Sequence, residues 1–116
     1  MNISDNNSNK RAKDPIDILI FEKGVRAKDL IIYKDLDLMV VVLNVGKVLN
    51  LKISEFPRLK DATEQELKDW KLIGEGIGFE WDKFDEHLSL KGFIKSSALN
   101  AALESLEVKD ELTIAS

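Results

Sequence analysis

EFPRLKDATEQELKDWKLIGEGIGFEWDKFDEHLSLKGFI, residues 55–94, is the stretch whose reading decides the fold. Phe56-Pro57-Arg58-Leu59 predicts a bend, because proline lacks the amide a strand ladder needs and restricts the residue before it. Thr63-Glu64-Gln65-Glu66 then has the spacing of a capping box. The Thr63 hydroxyl can accept from the Glu66 amide while the Glu66 carboxylate accepts from the Thr63 amide, so a helix starts here. It is short, with Leu67 and Trp70 three apart on one face. Tertiary packing must therefore hold it, and Trp70 is expected to be a core anchor. Past Gly74-Glu75-Gly76, the alternation of Ile77, Phe79 and Trp81 with Gly78 and Glu80 predicts a strand, followed by an acidic turn from Asp82 to His87.

Working towards the N-terminus, LDLMVVVLNVGKVLNLKI predicts a hairpin: an apolar run from Leu38 to Leu43, a turn at Asn44-Val45-Gly46, and a returning strand to Ile53. Six consecutive apolar residues present apolar side chains to both faces of the sheet, so both faces need cover. In so short a chain the helices cover one face and part of the other, and a second copy or another protein could bury the surplus. Pro15 opens IDILIF, in which Ile16, Ile18 and Ile20 share one strand face. Lys23-Gly24 then turns it towards a second run at Leu30-Ile31-Ile32-Tyr33, giving a first hairpin. Residues 1–14 are polar and aperiodic and are expected to form a flexible tail. After Gly92 a helix over Ser97 to Leu106 presents Leu99, Ala102, Leu103 and Leu106 for packing on the sheet or a partner, before a C-terminal tail at 108–116. These elements predict an α+β fold: an antiparallel β-meander of about four to five strands with two to three short helices, forming a single domain over 15–107.

A chain of 116 residues with 44% hydrophobic and 33% charged residues is suited to one core without staples. It has no cysteine, which excludes disulfides, thiolate catalysis and zinc-thiolate sites and makes a reducing cytoplasm the expected setting. No apolar run approaches the roughly 20 residues of a bilayer span, and the first residues lack the apolar core of a secretory signal. The net charge of −4 is unevenly spread. Residues 22–53 carry six basic and four acidic side chains, whereas residues 54–87 carry five basic and ten acidic ones. An acidic half disfavours nucleic-acid backbones, which need clustered Lys and Arg, and favours encounter with a basic protein.

Two motifs invite chemistry. Gly74-Glu75-Gly76-Ile77-Gly78 is spaced Gly-x-Gly-x-Gly rather than Gly-x-Gly-x-x-Gly, and it leads into a strand, so no helix N-terminus would face a phosphate. Its better reading is a bulged strand entrance where backbone approaches backbone, with no cofactor. Asp82, Asp85, Glu86 and His87, the sole histidine, have metal-like composition. In a turn such groups more often face water, or cap the segment that follows, than ligate an ion or act as acid and base.

The residues now placed carry a resemblance. Phe56-Pro57-Arg58-Leu59, Asp61-Ala62-Thr63, Trp70, Leu72-Ile73-Gly74, Gly76, Gly78, Trp81, Asp85-Glu86 and Leu88, in this order, resemble the bacterial family of domain of unknown function 2442. The resemblance covers about half of the chain once the hairpin at 38–53 is included. It implies structural roles for Phe56, Pro57, Leu59, Thr63, Trp70, Gly74, Gly76, Gly78, Trp81 and Leu88. Glu80 and His87 depart from the family pattern, which has a histidine before the tryptophan and an acidic residue after Asp-Glu. Some longer relatives join such a domain to a DNA-binding helix-turn-helix, a motif that one C-terminal helix cannot make.

Similar proteins are often encoded beside a small partner of another family, and the resemblance implies an antitoxin-like role. Together with the acidic half and the doubly apolar strand, it leads to a noncatalytic protein-interaction module. The expected partner is a small basic toxin-like protein, held by sequestration, with Arg58, Glu80, Asp82, Asp85 and Glu86 as candidate contacts. A homo-oligomer is a second expectation, and neither direct nucleic-acid binding nor membrane association is expected. Arg58 has a competing local use in an ion pair with Glu55 or Asp61. The alternative function is a small metal-dependent enzyme or hydrolase built on the turn from Asp82 to His87, which requires those side chains to converge.

Overall fold

Residues 15–22 form a helix where the alternating isoleucines predict a strand. Asp14 Oδ1 accepts from the Ile16 amide at 2.8 Å, and Pro15 takes a first-turn position, where its missing N–H leaves no bond unmade. Helix α1, Pro15–Asp17, widens into a π turn, Ile18–Glu22, closed by the Lys23 amide on the Ile18 carbonyl at 2.9 Å. The first hairpin expected from Ile16, Ile18 and Ile20 therefore does not form. The computed structural model describes residues 14–115, with side chains through residue 107. The tail expected at 1–14 lies outside the described residues except for Asp14, which is the helix cap.

Strands β1 (Ala27–Tyr33), β2 (Leu38–Leu43) and β3 (Val48–Leu51) make one antiparallel sheet in that order. Strands β4 (Lys71–Ile73), β5 (Gly78–Trp81) and β6 (Glu86–Ser89) make a second. The α+β class stands, but six strands divide between two sheets, where a single meander of four to five was expected. The hairpin at 38–53 forms, with Val42 opposite Val48 and Met39 opposite Leu51. In each sheet one connection is a 3-10 turn ended by an aspartate in the left-handed region: Asp37 at φ 54 and Asp85 at φ 51. Aspartate tolerates that conformation better than most side chains. Asp37 is held further, because the Ser54 hydroxyl and amide donate to its carboxylate at 2.5 and 2.8 Å and depress its pKa below the usual carboxylate value.

Three further helices lie among the described residues: α2 (Pro57–Lys60), α3 (Glu64–Lys68) and α4 (Leu90–Ala115). Pro57 opens α2, so the bend is the start of a helical turn. The capping box of α3 is complete, with the Glu66 amide donating to Thr63 Oγ1 at 3.1 Å and the Thr63 amide donating to Glu66 Oε1 at 2.9 Å. Thr63→Ala is expected to remove about 1 kcal/mol of stability, readable as a lower urea midpoint with unchanged slope. Asp69 ends α3, and Trp70 lies beyond it rather than on its face. Trp70 is only partly buried, packed edge-on to Phe79 at 5.3 Å, and the fully buried tryptophan is Trp81. An indole in the strand β5 faces the core directly, whereas a five-residue helix ends too soon to carry Trp70 inward.

The inner faces of both sheets share one core. Leu30, Met39 and Val41 from the first sheet meet Phe79 and Trp81 from the second, and Leu59, Leu67 and Phe93 pack from α2, α3 and α4. The sheets are joined directly where the Ala27 amide donates to the Gly76 carbonyl at 2.8 Å. Helix α4 starts where Ser89 Oγ accepts from the Gly92 amide at 2.9 Å, and Lys91 pairs with Asp14 and Asp17 at 3.3 and 2.9 Å, tying it to α1. It begins before Ser97 and runs past Leu106, so residues 108–115 continue the helix instead of forming a tail. Among the described residues no helix is long and apolar enough to cross a membrane.

Candidate interaction surface

The strand that is apolar on both sides has one face inside and one outside. Met39, Val41 and Leu43 are fully buried, whereas Leu38, Val40 and Val42 alternate with them on the outer face and are half-buried. The register places Ile31 of β1 beside Val40, Tyr33 beside Leu38, and Val48 of β3 beside Val42. Tyr33 is 46% exposed and Val48 52%. An apolar face shared by three strands is more than the scattered surface hydrophobics every protein carries.

Helix α4 does not cover this face. It passes β3 and the 3-10 turn after it, Ile53–Glu55, where Asn100 Nδ2 donates to Glu55 Oε1 at 3.1 Å, and from Ala101 to Glu107 every side chain is exposed. Leu99, Leu103 and Leu106 are 59%, 47% and 57% exposed, so of the two expected uses, packing on the sheet or on a partner, the first is not made among the described residues. Between the helix and the outer face lies a groove of about 530 Å³, lined by Leu38, Val48 and Asn50 on one side and Leu103, Glu104 and Glu107 on the other. The apolar run from Leu38 to Leu43 signalled surplus surface. Nothing in the spacing of Leu99, Leu103 and Leu106 could say that the helix would outrun the core.

Of the five candidate contact residues, Glu80 and Glu86 lie in strands of the second sheet, Asp82 and Asp85 in the turn between β5 and β6, and Arg58 in helix α2. Arg58 Nη2 donates to the Phe84 carbonyl at 2.6 Å, which pins α2 against the turn at 82–85, in place of the ion pair with Glu55 or Asp61. Asp82 meets Lys71 at 2.7 Å, and that bonded carboxylate raises the Lys71 pKa above its ordinary value. Glu80 lies 3.4 Å from His87 Nε2 across the paired strands β5 and β6. Glu86 Oε1 accepts from the His87 amide at 3.0 Å, and Asp85 ends the 3-10 turn before it in the left-handed region, while the segment after it is strand β6 and has no helix start to cap. Asp85 and Glu86 have no cationic partner among the described residues, and neither have Asp61 and Glu75. Among the described residues no three His, Asp or Glu side chains come together as a metal site, so the turn from Asp82 to His87 does not assemble the donor set that the metal alternative requires.

The glycine cluster is architectural. Gly74, Glu75 and Gly76 have φ of 54, 60 and 110, and they turn β4 into β5 while bringing the Gly76 carbonyl to the Ala27 amide. Backbone approaches backbone here twice, at the Ala27 amide and again where the Leu90 amide, at the start of α4, donates to the Ile77 carbonyl at 2.8 Å.

The fold is similar to two solved structures. A crystal structure of a protein of unknown function from Rhodospirillum rubrum matches with a TM-score of 0.56 at 24% identity, over 61% of this chain and 86% of that one. A solution NMR structure of an uncharacterised protein from Chromobacterium violaceum matches with a TM-score of 0.58 at 17% identity, over 78% of each chain. At these identities the likeness concerns the fold alone. No curated protein matches the chain. The model of the family described as protein of unknown function DUF2442 matches residues 28–98, which takes in both sheets, helices α2 and α3 and the start of α4, and the chain belongs to that family.

Proposed function

We propose that this chain is a noncatalytic protein-interaction module of antitoxin-like type, which sequesters a small basic protein in a reducing cytoplasm. The observation that supports this reading is the acidic excess left on the surface of residues 54–87. Folding pairs Asp82 with Lys71, Lys83 with Asp69 and Lys68 with Glu64, yet Asp61, Glu75, Asp85 and Glu86 remain without cations among the described residues. Opposite charge on a partner would speed encounter and select against acidic competitors. The contact between Arg58 and the Phe84 carbonyl gives the turn bearing Asp85 and Glu86 a fixed orientation, so its carboxylates are presented without further ordering cost.

The test is purification of the tagged chain from its native cell, beside the double variant Asp85→Lys, Glu86→Lys. A small basic protein should accompany the parent chain and fall by about tenfold or more with the double variant, with a steep salt dependence. Equal recovery by both forms would remove the assigned surface. Recovery of no basic protein, together with unimpaired growth when the neighbouring gene is expressed alone, would remove the antitoxin-like reading itself.

A further inference from the structure

The second surface, the apolar face of the first sheet, lies apart from the acidic turn and calls for a different occupant. Among the described residues two apolar surfaces stay partly or largely exposed: the outer face built from Ile31, Tyr33, Leu38, Val40, Val42 and Val48, and the leucine stripe at the end of α4. A helix stripe at spacings of four and three, as in Leu99, Leu103 and Leu106, suits a flat apolar sheet face. Within one chain the two face each other across the groove, Leu103 on one wall and Leu38 and Val48 on the other, without closing on each other, and the stripe stays exposed. We propose that the outer face of the first sheet is the seat of the α4 end of a second copy of this chain, so that two copies exchange helices about a two-fold axis.

Symmetry favours this occupant. An isologous contact uses the same pair of surfaces twice, and here one chain supplies both complementary halves. The groove beside α4 is already walled by the first copy's Leu103 and by Leu38 and Val48, so an incoming helix finds apolar side chains on two sides. Charge agrees at the edge, where β3 is bracketed by Lys47 and Lys52 and the helix end brings Glu104 and Glu107.

Area agrees as well. Three strands about 4.8 Å apart and about 20 Å long offer a face of roughly 300 Å². The stretch of the helix end from Leu99 to Glu107 is about 14 Å long and 10 Å wide and offers roughly 140 Å². Each copy thus contributes about 440 Å², and a pair hides about 900 Å², the size of a weak, reversible interface.

Light scattering on the purified chain should give twice the 13.1 kDa of one copy. Leu103→Glu should return the mass to that of one copy with an unchanged far-ultraviolet spectrum, because Leu103 makes no part of the core. The geometry is tested separately, since the chain has no cysteine of its own. When Val40→Cys and Leu103→Cys chains are mixed and oxidised, the disulfide should join one variant to the other.

A monomeric parent chain would overturn the proposal, as would cross-linking of Leu103→Cys chains only to themselves, which would mean helix pairing with helix. A monomer whose capture of the small basic protein is lost on Val40→Asp would assign the face to that protein instead of to a second copy. The charge-reversed double variant should keep the dimeric mass, so loss of partner capture and loss of self-association are read independently.

Discussion

Gly76→Ala is expected to destabilise the fold by about 3 kcal/mol or more, the size of effect that marks a strained backbone combined with a steric clash. Gly76 has φ 110, outside the region open to side-chain-bearing residues. A methyl group there would overlap the Ala27 carbonyl oxygen and stand 3.0 Å from the Ala27 nitrogen and 3.1 Å from Arg26 Cβ. None of these atoms can yield cheaply. Ala27 is fully buried, pairs with Leu43 in the first sheet and donates its amide to Gly76 itself, so moving it opens the first sheet and the joint between the sheets together. Gly46 supplies the control. It has φ 79 with open space around it, so Gly46→Ala should cost only about 1 kcal/mol, the backbone term alone. Guanidinium unfolding of the two variants measures the difference, and equal midpoints would show that the contact at Ala27 is not a constraint.

What could be read in the sequence divides along the range of the forces involved. The capping box at Thr63 and Glu66 is local, both partners lie within one turn, and it forms as read. The hairpin over 38–53 is also local, set by Asn44-Val45-Gly46 between two apolar runs. The close approach at the glycines was legible as a need for space, but the partner, Ala27, lies 49 residues away and nothing near Gly76 names it. The isoleucines at 16, 18 and 20 misled because alternation was read without its start signal. Asp14-Pro15 places a cap and a preset φ just ahead of them, and a capped turn that buries Ile20 displaces a strand.

The candidate surface divides the same way. The doubly apolar strand announced a surplus, which became the outer face, because facing direction along a strand depends only on alternation. Nearby carboxylates do not predict the partner of Arg58, since its acceptor, the Phe84 carbonyl, lies across the fold, and a backbone carbonyl has no sequence signature. The end of α4 was misjudged because helix length against core size is a property of the packed whole.

The two tryptophans make the last distinction measurable. Trp81→Ala is expected to cost about 4 kcal/mol, within the range for deleting a fully buried aromatic side chain. Trp81 is 1% exposed, lies 6.0 Å from Phe84 and 6.3 Å from Phe79, and donates Nε1–H to the Leu67 carbonyl at 2.9 Å. That carbonyl belongs to the last turn of α3, where no later helical amide can reach it, so the indole is what satisfies it. Trp81→Phe separates the two contributions: most of the packing survives while the Leu67 carbonyl is left buried without a donor, a loss of about 2 kcal/mol. Trp70→Ala should cost less than Trp81→Ala, about 1 to 2 kcal/mol, because Trp70 is partly exposed and contributes an edge contact to Phe79. Urea midpoints for the three variants, followed by circular dichroism, rank the residues directly. If Trp70→Ala proved as damaging as Trp81→Ala, the core would be anchored from the end of α3, as the helical spacing of Leu67 and Trp70 predicts. The opposite order places the anchor in β5, where the Trp81 indole joins the second sheet to α3 and closes the core from that side.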